Sequence, residues 1–218
     1  MTATPDTKGL LRVLGDGAPV IAAEGRLHPV EIVYAPPAPR ERPAEAMAAL
    51  VLRAVREQEG DVLAFLPGIG EIRRVQALLA ESLPATVDAL ALAGALSVAE
   101  QDLALAPSPP GRRRVVLATD IAESSLTVAG VSVVVDNGLV KVPRLDTGTG
   151  MSRLVTVATS RASPDQRAGR AGRTAPGVAY RLWSKLEQGT RRAHLDAEIT
   201  AVDLTGLALE IAAWGTPV

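Results

Sequence analysis

Three arginines recur at intervals of three in Ser163-Pro-Asp-Gln-Arg-Ala-Gly-Arg-Ala-Gly-Arg173, separated only by Ala and Gly. A guanidinium stays charged at any relevant pH and offers a planar fork to paired oxygens, so Arg167, Arg170 and Arg173 in this pattern point to capture of phosphate. The intervening glycines let another surface approach closely. Ser163 as N-cap, Pro164 at the first helical position and Gln166 three residues after the cap predict the start of a short helix, whose N-terminal dipole also favours anions. A solvated arginine-rich helix or a salt-bridge cluster would use the same residue types. The small-residue spacing and the preceding Gln166 favour the phosphate reading.

The charge distribution agrees. The net charge of the 218 residues is -1, yet Pro107 to Arg192 carries 14 Arg and Lys against 6 Asp and Glu, and the remainder 9 against 18. A basic segment inside an acidic chain predicts a local site for phosphates, whether of nucleotide or of nucleic acid. The phosphate loop that an α/β nucleotide hydrolase normally carries, G-x-x-x-x-G-K-Ser/Thr, is missing. The nearest substitute, Pro67-Gly68-Ile69-Gly70, is read as a tight turn into a helix whose glycines allow close packing.

These residues need a scaffold, and the alternation of element types predicts one. Val20–Ala23 and Pro29–Ala35 have strand character, and Pro36, Pro37, Pro39 and Pro43 mark a loop. Ala44–Glu59 and Ile69–Leu83 read as helices. Asp61–Leu66, Val87–Ala93, Arg114–Thr119, Val131–Asp136 and Val178–Trp183 read as buried strands of a parallel sheet. Ser97-Val-Ala-Glu100 is a capping-box signature for a helix ending before Pro107. Alternating residues around Asp146-Thr-Gly-Thr-Gly150 predict a β-hairpin between Asp136 and Ser160. Asp203–Trp214 predicts an amphipathic helix with Leu204, Leu207, Ile211 and Trp214 on one face, expected to pack on a core. The fold class is α/β with a mainly parallel sheet.

Composition excludes several functions. Zero cysteines rule out disulfides, thiolate metal sites and a cysteine nucleophile, and fit a reducing cytosol. His28 and His194 are too few for a histidine metal cage, and no metal site is expected. No apolar stretch approaches the roughly 20 residues of a membrane helix. Met1 to Pro19 lacks a basic start followed by an apolar run, so no signal peptide is expected there.

Gln166-Arg-Ala-Gly-Arg-Ala-Gly-Arg173 resembles motif VI of superfamily 2 helicases, in particular the DEAH-box RNA helicases. Ala118-Thr-Asp-Ile-Ala-Glu-Ser-Ser-Leu-Thr127 with Val131–Gly138 resembles motif V, and Phe65-Leu-Pro-Gly68 resembles motif IV. Leu92–Leu96 with Glu100-Gln101 resembles the short motif that follows it, and Met1-Thr-Ala-Thr4 resembles motif III. Thr147–Leu154 and Pro176–Trp183 are most similar to the bacterial HrpB branch.

The resemblance implies the second of two RecA-like motor domains, with ATP bound in the cleft between them. It implies that residues 1–17 are a tail of the first domain, 18–195 the second RecA-like domain, and 196–218 a linker with the first helix of a winged-helix domain. The phosphate loop and the Asp-Glu-Ala-His motif would belong to the first domain. ATP and Mg2+ would therefore be held mainly there, and this chain alone is expected not to hydrolyse ATP. Arg170 and Arg173 would be arginine fingers and Gln166 would position the attacking water; Arg167 would join the nucleotide site or form a structural ion pair. Thr119 would touch the RNA backbone, with Ser125, Thr127 and Gly68 as further RNA contacts. Lys141, Arg144 and Arg153 would line a strand-separating hairpin. With few aromatics in the chain, contact with single-stranded RNA would run through phosphates and sugars. The implied partners are RNA, the first RecA-like domain and the winged-helix domain, and the implied location is the cytoplasm, with no membrane.

Three positions depart from the family pattern. Asp120, which the resemblance would place on the nucleotide side, stands where an Asn is usual, replacing an amide by an acceptor-only carboxylate, and Ser124 replaces a more usual Thr. Leu105 occupies the place of an aromatic that stacks on adenine, so it would cover the base by apolar contact alone. Two other functions use the same features: a RecA-like binding module that never meets nucleotide, and a motor of the same superfamily acting on DNA. Gln166, Arg170 and Arg173 together separate the first of these from a motor, because a pure binding module has no physical need to keep them together.

Overall fold

Val131–Asp136 and Asp61–Phe65 are apolar at nearly every position, which suits only strands covered on both faces. The computed structural model describes residues 7–15, 17–21, 28–124, 126–146, 148–195 and 198–215. Its elements run α1 (Thr7–Leu14), β1 (Val30–Tyr34), α2 (Pro43–Glu57), β2 (Asp61–Phe65), α3 (Ile69–Ala80), β3 (Val87–Leu92), α4 (Val98–Leu105), β4 (Arg113–Ala118), α5 (Ile121–Ser124) and β5 (Val131–Asp136). Then come β6 (Leu139–Asp146), β7 (Met151–Ala158), α6 (Ala162–Ala168), β8 (Gly177–Arg181), α7 (Lys185–Thr190), a 3-10 turn at Glu198–Thr200 and α8 (Thr205–Ala213). The predicted α/β architecture is present, with the hairpin and the C-terminal helix.

Six strands form one parallel sheet in the order β1-β8-β5-β2-β4-β3, while β6 and β7 pair antiparallel. Side chains alternate across the pleat. Val62, Ala64, Val115, Leu117, Val133 and Val135 face α2 and α3, packing with Val51, Ile72 and Leu79. Leu63, Phe65, Val116, Ala118 and Val134 face the other way, against Ala104, Ala122 and Ala168 of α4, α5 and α6. Because every pairing in the large sheet is parallel, Phe65, Leu92, Ala118, Asp136 and Arg181 lie along a single edge, where an open α/β sheet presents its ligands. At the opposite edge a buried ion pair, Arg114 Nε to Asp61 Oδ2 at 2.9 Å, joins the starts of β4 and β2.

Several expectations change. Val20 and Ile21 are not in a strand, and Ala22 and Ala23 lie outside the described residues. Ser97 and Glu100 form the expected capping box. Ser163 does not cap α6: the helix begins at Ala162, and the Ser163 hydroxyl donates instead to Glu123 Oε2 at 2.7 Å. Gly70 has open space around it, so of the two turn glycines only Gly68 meets a close neighbour. The stripe on α8 does not pack on a core: no residue of α8 is buried, and Trp214 is 89% exposed. Helix α7, absent from the sequence reading, is opened by Ser184, whose hydroxyl accepts from the Glu187 amide at 3.1 Å.

Candidate functional site

The arginine segment is not one helix. Helix α6 stops at Ala168, and turns carry the chain through Arg170 and Arg173 back into β8. Gly172 allows this path. A Cβ there would stand 2.6 Å from the His28 carbonyl oxygen and 2.7 Å from Val30 Cγ2, while its own carbonyl accepts from the His28 amide at 2.8 Å.

The three equally spaced arginines have three different environments. Arg167 is 1% exposed. Its Nε donates to Glu123 Oε2 at 2.8 Å, its Nη1 to Asp136 Oδ1 at 2.8 Å, and its guanidinium lies 4.8 Å from the Phe65 ring. Burial works against its charge, but Asp136 and Glu123 outweigh this and hold the guanidinium above its ordinary range. Arg170 is also buried and donates to backbone carbonyls: Nη1 to Leu126 at 2.7 Å, and Nε and Nη2 to Glu123. Burial, then neighbouring Arg173, pull its pKa down against the opposing pull of Glu123. Arg173 is exposed, and its Nη1 donates to Thr127 Oγ1 at 2.6 Å. Gln166 is partly buried, one residue before Arg167.

Motifs V and VI are thus one unit. Glu123, on α5, accepts from Ser163 and Arg167 through its carboxylate and from Arg170 through its carbonyl. Thr119 immediately follows β4 at the carboxyl edge of the sheet, its amide donating to the Leu92 carbonyl at 3.1 Å. Ser125 lies outside the described residues, as do Thr147 and the Met1-Thr-Ala-Thr4 segment. Leu105 is the last residue of α4, partly buried against the second face of the sheet.

The hairpin carries the remaining candidates. Lys141 Nζ reaches Glu71 Oε2 on α3 at 2.9 Å. The pair closes over Gly68, whose added Cβ would meet Lys141 Nζ at 2.6 Å, so these two RNA candidates touch. Arg144 on β6 is directly opposite Arg153 on β7, a like-charge pair across the hairpin. Lys141 and Arg144 line a cleft of about 760 Å3 with Asp120, Arg191, Arg192 and Glu187. Asp120, expected on the nucleotide side, is therefore gathered with the hairpin cations. Glu123, Asp136, Glu71 and Arg191 carry no role in the sequence reading. An Asp ending a continuous apolar strand at the carboxyl edge was the one legible signal among them.

Among the described residues, no group of three or more Asp, Glu or His side chains could hold a metal ion, and no helix is long and apolar enough to cross a membrane.

Residues 44–175 match the helicase conserved C-terminal domain, and the chain belongs to that family. The ATP-dependent RNA helicase HrpB of Escherichia coli K12 is 44% identical over 215 residues, 99% of this chain and 26% of that protein. The ATP-dependent RNA helicase DEAH11 of Arabidopsis thaliana is 41% identical over 96% of this chain and 12% of its own length. The crystal structure of the E. coli DEAH/RHA helicase HrpB superposes with a TM-score of 0.92 over 99% of this chain and 27% of that one. The chain thus spans about a quarter of HrpB, and the sheet, hairpin and C-terminal helix have the RecA-like form seen there.

Proposed function

We propose that this chain is the C-terminal motor domain of an ATP-dependent RNA helicase of the DEAH-box, HrpB type. Residues 18–195 form the RecA-like unit, 1–17 are the tail of the first motor domain, and 196–218 are a linker with the first helix of a winged-helix domain. ATP sits between this unit and the preceding one. Arg173 reaches the transferring phosphoryl group as an arginine finger, Arg170 joins it from beneath motif V, and Gln166 orients the attacking water. A loose phosphoryl-transfer transition state needs this positive charge and ordered water rather than covalent help. Leu105 covers the base, Arg167 braces the arginine loop, and magnesium is assigned to no residue of this chain. Single-stranded RNA runs by its backbone past Thr119, Ser125, Thr127 and Gly68 to Lys141, Arg144 and Arg153, with Asp120 at the cleft's edge. Closure on ATP and reopening after hydrolysis drive translocation. The protein acts in the cytoplasm.

The observation that carries this reading is the interlock of the two motifs. Arg167, Arg170 and Arg173 all bond to the segment between Glu123 and Thr127, or to the strand end beside it. In the full-length protein, Arg170→Ala or Arg173→Ala should lower RNA-stimulated ATP turnover by roughly 10³-fold, the scale of an arginine finger, with little change in RNA affinity measured without nucleotide. Thr119→Ala should weaken RNA affinity and leave basal turnover nearly intact. Loss of RNA binding with turnover untouched in Arg173→Ala would make the arginine loop a nucleic-acid surface instead.

A further inference from the structure

The hairpin and the arginine loop share one buried carboxylate. Asp136 is the last residue of β5 and 2% exposed. Its Oδ1 accepts from Arg167 Nη1 and from the Gly138 amide, each at 2.8 Å. Gly138 immediately precedes β6, and its carbonyl accepts from the Thr159 amide at 2.9 Å, the Thr159 hydroxyl at 3.3 Å and Arg191 Nη1 at 2.8 Å. Thr159 immediately follows β7, and Thr159 Oγ1 accepts from the same Arg191 Nη1 at 2.9 Å. Arg191 lies 4.2 Å over the Trp183 ring. Both feet of the hairpin are therefore tied to each other, and through Gly138 to the carboxylate on which Arg167 lands. Gly138 is at φ +72°, and an added Cβ would strike Trp183 at 2.7 Å, so the chain passes this point in one conformation.

The second oxygen sets up an alternative. Asp136 Oδ2, Arg191 Nε and Arg181 Nε are buried and lack a hydrogen-bond partner among the described residues. One carboxylate thus has an open acceptor among guanidiniums with open donors. Such a group can exchange partners at low cost, which a two-state element requires.

We propose that Asp136 is a positioning residue that transmits movement of Arg167, on the nucleotide side, to the root of the hairpin at Gly138, Thr159 and Arg191. The proposal deepens the helicase reading and rests on it for the direction of transmission. When cleft closure displaces the arginine loop, Arg167 pulls on Asp136, and the hairpin root follows through Gly138.

Trp183 supplies a readout independent of activity. In the chain with Trp214→Phe, Trp183 is the sole tryptophan. Arg167→Lys keeps the charge but loses the fork, and Asp136→Asn loses the charge; each should expose Trp183 to acrylamide and speed amide exchange across 138–159 by roughly tenfold. The double variant should add little to either single one, while Arg112→Lys, in a surface pair with Asp88, should change nothing. If Asp136→Asn does not fold, Arg167→Lys carries the test. A folded Arg167→Lys chain with Trp183 and hairpin exchange unmoved would overturn the relay. In the full-length protein, Thr159→Val should hold RNA-stimulated ATP turnover within about twofold while strand separation per ATP falls roughly tenfold. Equal loss of both, or loss of neither, would also overturn it. If the unaltered protein neither hydrolyses ATP nor separates strands, the helicase reading fails, and the Trp183 experiment still decides the contact chain.

Discussion

Arg173 Nη1 donates to Thr127 Oγ1 over 2.6 Å, so the arginine assigned to nucleotide and the threonine assigned to RNA meet in one hydrogen bond. Both side chains are exposed, and each keeps further hydrogen-bonding capacity beyond this bond.

Thr127→Val removes the hydroxyl at nearly constant volume. RNA affinity, read by fluorescence anisotropy, should fall by roughly fivefold, the equivalent of one neutral hydrogen bond at about 1 kcal/mol. The loss should persist in an Arg173→Ala background if Thr127 meets RNA itself. A loss that vanishes there would place its effect on Arg173.

Arg167 and Arg173 should differ in stability although they share a motif. Arg167→Ala leaves Asp136 and Glu123 without their shared cation in a buried site and should cost about 3–5 kcal/mol. Arg173→Ala removes an exposed side chain and should stay within about 0.5 kcal/mol. Urea unfolding of the two variants checks this, with equal denaturant slopes as the control.

The two motif glycines should also separate. Gly169 is at φ -57°, and an added Cβ would find only ordinary contacts at 3.4 Å and 3.5 Å, so Gly169→Ala should fold normally. Gly172→Ala drives a methyl into the His28 backbone and should destabilise by about 2 kcal/mol or more. Thermal unfolding would show a shifted midpoint for Gly172→Ala alone.

The hairpin should loosen in acid. Burial raises the Glu71 carboxyl, but the hydrogen bond from Lys141, with a backbone bond, outweighs it and sets the pKa below the ordinary 4.5. The unfolded chain then takes up the proton first, so the stabilisation is complete above that range and is lost as pH falls through the lower folded value. Amide exchange in β6, corrected for intrinsic rates, should rise between about pH 5 and pH 3. Glu71→Gln should remove that rise.

Much of this arrangement could be read along the chain. The apolar runs Val62–Leu66 and Val133–Val135 demand two covered faces, and alternation around Asp146–Gly150 demands a hairpin, because strand periodicity is local. The arginine triplet points to phosphate chemistry by residue type and spacing, a reading that belongs to the proposal. Its internal division of labour was not legible, since Arg167, Arg170 and Arg173 are spaced identically. Only tertiary structure buries the first and exposes the last, because Asp136 and Glu123, which receive Arg167, arrive from 31 and 44 residues away. The Lys141–Glu71 bond spans 70 residues and could not be read either. Local pattern determines which element forms, for it depends on neighbours within a turn or a pleat. Which charge is paired depends on where the parallel sheet brings its strand ends together, and that is a property of the folded chain.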